Sequence, residues 1–316
     1  MLRWLGAGAA VAVAGVGGVA AYEGYSRGII LRSGEGPDRH FPDRRVTVPN
    51  SAPQLVIARG AEPATNVAAA LDRMGGLGLF IERGDVVLVK PNAGFGRTPV
   101  QAANTSPAVL AAVIRACREA GAAEVIVAEC PAYPAAIAFS RSGLRAAAQQ
   151  AGATFIAPTD STYVNVMLPG FGRWPVLEPF ATATKVINVP AAKHHSRARV
   201  TAGMKNWFGI LGGQRGELHD RIDDAIVELA ALMRPTLTIV DATRLLMRNG
   251  PSGGNLADVK AGDAIAVSQD PVAADAWAAA QLEADRDKLA WLHKAAARGL
   301  GVADYEALSP VEVTTG

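Results

Sequence analysis

Cysteine is scarce in this sequence: Cys117 and Cys130 are the two present in 316 residues. Two thiols by themselves neither ligate an iron–sulfur cluster nor build a zinc Cys cluster. They pair with each other only if the fold brings them together, which spacing does not decide. Aromatic residues make up 6% of the chain, and Trp207-Phe208 is the only aromatic pair inside its basic stretch. That argues against a base-stacking platform. A formal net charge of +2 supplies no overall field toward nucleic acid, so no nucleic-acid partner is expected. No Gly-x-Gly-x-x-Gly follows a strand, and no P-loop, zinc spacing or Ser-His-Asp arrangement is present, so a dinucleotide reading lacks its main support. Acidic residues are missing from one long segment: between Glu178 and Glu217 there is no Asp or Glu.

Hydrophobic residues form half of the chain, enough for a large core. The amino terminus stands apart. After Met1-Leu2-Arg3-Trp4, residues 5–21 are apolar with no polar face. One positive charge before such a run is read as a signal peptide or an uncleaved N-terminal membrane anchor across residues 1–21. The chain is therefore expected to be exported, periplasmic or otherwise extracytoplasmic, or anchored to a membrane through residues 5–21. Residues 22–53 are rich in Gly, Arg, Asp and Pro without periodicity and read as a linker.

Residues 54–308 read as a single α/β domain. Short apolar runs at 54–58, 85–89, 124–128, 154–156, 185–189, 236–240 and 264–267 alternate with helical stretches at 63–74, 106–121, 136–150, 219–233, 270–282 and 285–298. Strands apolar on both faces, separated by helices, predict a mostly parallel sheet with helices on both faces. Residues 162–180 alternate briefly and carry Pro169, Gly170, Gly172 and Pro175, which predicts a small β-rich insertion.

In open sheets of this kind, ligands bind beyond the carboxyl ends of the strands. Polar residues fall at those ends: Lys90 and Asn92, Glu129, Lys193 and His194, Asp241, and Asp270. Five strand ends point to a shared crevice if all run parallel. The acid-free segment adds Lys185, Lys193, Arg197, Arg199, Lys205 and Arg215, with His194 and His195 among them. Such a segment suits a small anion, a carboxylate or a phosphate, held by lysines as point charges. Histidine near neutral pH moves protons or holds a metal. The expected catalytic residues are His195, Lys193 and Lys205. Lys90, Asn92, His194, Thr201, Asn206 and Gly209 are assigned to substrate binding. Glu129, His219, Asp241 and Asp270 are the candidate ligands of a divalent metal. Each has a plainer reading beside it: Asp270 before Pro271 also fits a helix N-cap, Lys90 a snorkelling strand end, Asn92 a turn.

At these residues the chain resembles the domain of unknown function 362 family. The resemblance rests on Val89-Lys90-Pro91-Asn92, on Val186 to Pro190 with Lys193-His194-His195, and on Thr201 to Gly209. It continues through His219, Ile239 to Ala242, Gly250-Pro251 with Gly254, and Asp270 to Asp275. The family's pattern looks like Lys-x-His, which places His195 at the histidine. Many relatives carry ferredoxin-like cysteine motifs; this chain lacks them, so an iron–sulfur cluster is not expected. The expected function is an enzyme acting on a small anionic substrate, with or without a metal. The alternatives are a non-catalytic anion-binding or assembly protein and a redox-linked partner protein.

Overall fold

The computed structural model describes residues 37–316; the apolar run at 5–21 and the first part of the expected linker lie outside them. Twelve strands are described: β1 (Leu55–Arg59), β2 (Val86–Pro91), β3 (Glu124–Ala128), β4 (Thr154–Ile156), β5 (Tyr163–Leu168), β6 (Gly172–Leu177), β7 (Lys185–Val189), β8 (Ala191–His195), β9 (Arg199–Thr201), β10 (Leu237–Leu246), β11 (Val259–Ser268) and β12 (Val311–Thr314). The main sheet runs β12-β1-β11-β10-β7-β2-β3-β4, with β8 joined to β10 and β9 to β8. Its neighbours are parallel except around β11, which is antiparallel to both β1 and β10, and at β9, which is antiparallel to β8. The expected mostly parallel α/β sheet is what the chain forms, and β5 and β6 form the small separate antiparallel pair within 162–180.

Strand residues alternate between two apolar layers, which is why the strands read as continuous apolar runs. Leu55 and Ile57, Leu88, Val186, Val240 and Ala266 face one layer, with helices Ile222–Met233, Pro271–Gln281 and Ala290–Ala297. Val56, Val87 and Val89, Ile187, Ile239 and Val267 face the other, with helices Pro63–Arg73, Pro107–Glu119, Ala135–Ser142 and Leu144–Gln150. Among the described residues no helix is long and apolar enough to cross a membrane.

Residues 37–53, within the expected linker, have no regular secondary structure but lie on the domain. Phe41 and Arg44 are buried. Arg44 donates from Nε to the Ala183 carbonyl (2.9 Å) and from Nη2 to that of Phe180 (2.6 Å), while Thr236 Oγ1 donates to the Arg44 carbonyl (3.0 Å). The sheet also continues beyond residue 308, because β12 pairs with β1.

Candidate anion site at the strand ends

The site begins where β2, β3 and β7 end. Lys90 is the fifth residue of β2 and faces the same layer as Leu88; Asn188 of β7 faces it likewise. Lys90 Nζ donates to Glu129 Oε2 (2.7 Å), Asn206 Oδ1 (2.8 Å) and the Pro91 carbonyl (2.9 Å). Its three protons are thus used. Asn206 Oδ1 also accepts from Asn92 Nδ2 (2.8 Å), and Asn206 Nδ2 donates to Asn188 Oδ1 (2.9 Å). Asn92 Oδ1 in turn accepts from Lys193 Nζ (2.8 Å), which also donates to the Ala103 carbonyl and lies 4.6 Å over the Phe95 ring. Five asparagine and lysine side chains, Lys90, Asn92, Asn188, Lys193 and Asn206, from separate elements are therefore locked by one another; all are buried except Asn92, which is half-buried.

Above this network is a cavity of about 70 Å³. It is lined by Asn92, Phe95, Glu129, Lys193, His195, Thr201, Lys205 and Arg215 with neighbouring backbone. Pockets for drug-sized ligands measure roughly 300–1,000 Å³, so this one suits a ligand of few heavy atoms. Two larger grooves, of about 490 and 670 Å³, run along residues 38–54 on the surface. Their arginines are partly paired with carboxylates, Arg45 and Arg234 with Asp43 and Arg298 with Glu228, and these arginines are largely exposed, unlike the enclosed charges here.

Period-two geometry sorts the Lys193-His194-His195 run. Lys193 and His195 of β8 face the cavity. His194 faces away, and its Nδ1 accepts from Gly250 N (3.1 Å). His195, and not His194, therefore lines the cavity. Lys205 is carried by a short helix, Gly203–Asn206, whose first two amides are held by one carboxylate: Gly203 N and Met204 N donate to Asp275 Oδ1 (2.5 Å) and Oδ2 (3.0 Å). A Cβ at Gly203 would meet Asp275 Oδ1 at 2.9 Å and Thr238 Cγ2 at 3.0 Å, so only glycine fits there without movement.

Residues 87–280 match the family described as domain of unknown function (DUF362). The chain belongs to this family. The DUF362 match contains every cavity-lining residue, from Asn92 to Pro251. A thylakoid-associated protein, sll1697, of Synechocystis sp. is 29% identical over 206 residues, covering 60% of this chain and 61% of that protein. The chain thus spans less than two thirds of that relative's length. Among solved structures, the lactate racemase apoprotein from Thermoanaerobacterium thermosaccharolyticum aligns with a TM-score of 0.36 and 12% identity, over 65% of this chain and 55% of that one. A protein from Thermotoga maritima aligns with a TM-score of 0.35 and 10% identity, over 62% and 54%. Neither likeness bears on the chemistry of the site.

The expected metal set of this DUF362 chain is not assembled. Among the described residues no three His, Cys, Asp or Glu side chains are grouped as a metal would require. Asp270 follows β11, whose reversed direction carries it to the opposite sheet edge; there it caps helix Pro271–Gln281 by accepting from Val272 N and Ala273 N (both 2.8 Å). Asp241 faces the Ile239 layer, away from Lys90, and accepts from Ser106 N (2.6 Å) at the start of helix Pro107–Glu119 and from Thr243 (2.6 Å from Oγ1). Glu129 is the ion-pair partner of Lys90. His219 Nδ1 faces the Gly216 carbonyl (3.1 Å), and its ring stacks on that of His195 with centroids 6.0 Å apart.

Gly209, which lines the cavity, also makes room for the buried pair. A Cβ there would lie 1.8 Å from Glu129 Oε1 and 2.7 Å from Lys90 Nζ, so its absence makes room for the ion pair. Arg215, Phe95, Asn188, Cys130 and Asp275 were not expected in the site. Arg215 Nη1 donates to the carbonyls of Cys130 (2.6 Å), Phe208 (2.9 Å) and Leu211 (3.2 Å). Its place in the acid-free segment was the available signal; Asn188 and Asp275 fall inside the stretches that carry the family resemblance, and nothing local marked Phe95 or Cys130.

The charge balance is lopsided. Lys90, Lys193, Lys205 and Arg215 surround one carboxylate, Glu129. Burial pushes the lysines toward the neutral form: Lys193 is pulled down to about 7, chiefly by desolvation, and Lys205 well below its ordinary value by desolvation and then by Arg215. Burial likewise raises Glu129, against the opposing pull of Lys90. Lys205 Nζ has no hydrogen-bond acceptor among the described residues and rests 3.3 Å over the Phe208 ring. Thr201 Oγ1 is buried and without a partner there too.

Proposed function

We propose that this protein is an enzyme that binds a small carboxylate or phosphate in the cavity between Lys193, Lys205 and Arg215. One observation carries the reading: the Nζ of buried Lys205 has no acceptor among the described residues and faces a cavity already rich in positive charge. An unpaired buried cation is costly. A bound anion supplies the missing partner and favours the charged form of each lysine. Lys193, held near 7 by burial, is suited to give or take a proton at neutral pH.

The test is calorimetric titration of the purified protein with acetate and with inorganic phosphate, repeated on Lys205→Met. Saturable binding by the native protein and its loss in the variant support the reading. No binding of either anion by the native protein sinks it. Turnover of a bound small acid separates an enzyme from an anion-binding protein. The apolar run at 5–21 supports attachment to, or passage across, a membrane, in keeping with the thylakoid-associated name of the relative. Fractionation of cells expressing the chain with and without residues 1–21 checks this: an unchanged distribution refutes it.

A further inference from the structure

His195 is the histidine that the sequence offers for proton transfer, yet one of its ring nitrogens is already committed. Nδ1 receives two backbone amides from its own turn, Arg197 N (3.1 Å) and Ala198 N (3.2 Å). A nitrogen that accepts hydrogen bonds carries no proton, so the neutral ring must hold its proton on Nε2. Protonating Nδ1 would set an N–H against two buried N–H donors and leave both without an acceptor. Nε2 has no partner among the described residues, and the residue lines the cavity.

The other lining groups share this character. Lys205 Nζ offers donors without an acceptor. Lys193 Nζ adds donor capacity, and Thr201 Oγ1 is a buried, unpartnered hydroxyl. Three of the acceptors nearby are occupied: Asn206 Oδ1 by Lys90 and Asn92, Asn92 Oδ1 by Lys193, Glu129 Oε2 by Lys90 and Ala93 N; Glu129 Oε1 is the acceptor left without a donor among the described residues, against the donors of Lys205, Lys193, Thr201 and His195.

We propose that the cavity selects a fully ionised oxyanion, a group that only accepts hydrogen bonds, and that His195 serves it as a fixed Nε2–H donor and not as a base. This rests on the anion reading above and deepens it by naming the protonation state of the ligand and the direction of the histidine hydrogen bond. The charged groups around the ring act the same way. Lys205, His219, Lys193 and His194 all oppose a positive charge on His195, after burial itself, and hold its titration well below the ordinary range. His219, stacked on it, is pulled down to about 3, chiefly by burial. A neutral donor costs less to bury than an imidazolium and keeps its hydrogen bond across the physiological range.

Two measurements on the full chain test the assignment. In histidine-selective nitrogen NMR, His195 is expected to show a protonated Nε2 and a bare Nδ1, unchanged between about pH 5 and 8. In titrations, acetate binds and acetamide, its neutral isostere, does not. His195→Leu weakens acetate binding about 10- to 100-fold, the cost of one hydrogen bond to a charged group. His195→Gln, which keeps a donor near the Nε2 position, stays within about threefold of native. A proton on Nδ1, titration of the ring within that range, equal binding of acetamide, or a glutamine variant as weak as the leucine variant overturns the donor assignment while anion binding stands. A native protein that binds neither acetate nor phosphate overturns both.

Discussion

The Lys90–Glu129 pair gives the sharpest test of how this site is built. Both side chains are almost wholly enclosed, and the ions stand 2.7 Å apart. At an effective dielectric of about 20, their gross attraction is about 6 kcal/mol. Removing each ion from water costs several kcal/mol, so the pair as a whole is close to neutral for stability. Breaking it is different. Lys90→Met leaves Asn206 Oδ1 with its Asn92 donor and the Pro91 carbonyl with a long contact from Asn206 Nδ2 (3.4 Å). Glu129 keeps only Ala93 N at 3.2 Å on Oε2 among the described residues. The expected loss is therefore about 3–5 kcal/mol, most of it the stranded carboxylate. Lys90→Met combined with Glu129→Leu removes both ions and is expected to lose less than Lys90→Met alone. Urea unfolding at neutral pH, followed by fluorescence and circular dichroism to establish a single transition, measures the cycle. If Lys90→Met costs less than about 1 kcal/mol, and the two changes add within about 0.5 kcal/mol, the ions are solvated and the enclosed network described here is wrong.

Lys205→Met replaces a buried amine that has no acceptor among the described residues with an apolar side chain, so the empty protein gains about 1 kcal/mol, after the loss of its contact with Phe208, while anion binding disappears; a lowered urea midpoint would contradict this. Gly209→Ala drives a methyl into Glu129 and Lys90 and is expected to cost at least about 2 kcal/mol in the same assay. Asp275 is pushed up to about 7 by burial, against the pull of the Met204 and Gly203 amides. The folded chain therefore holds a proton there that the unfolded chain releases near pH 4. That stabilisation is full below about pH 4 and is lost as pH rises through 7, by as much as about 4 kcal/mol. Asp275→Asn lowers stability below about pH 4, because one backbone amide loses its acceptor, but flattens the slope between about pH 4 and 7, so the difference from native shrinks as pH rises; a slope equal to native points to another group.

The sequence by itself determined the strands of the sheet core and much of the site. Apolar runs of four or five residues, closed by Lys90, Glu129 or the Lys193 segment, are local patterns, and burial on both faces leaves them no other reading. The acid-free stretch from Glu178 to Glu217 marked the cationic wall, since no local carboxylate is there to neutralise it. Strand direction and side-chain facing were decided only by tertiary pairing. β11 runs against its neighbours, which turns Asp270 from a candidate ligand into a helix cap. Asp241 sits one residue out of phase with the layer that Lys90 faces, so it serves a helix on the far side. Asp275 lies 72 residues from Gly203 along the chain yet holds the helix that presents Lys205. Such long-range contacts form when the sheet and its helices pack, and composition or spacing within either segment carries no record of them.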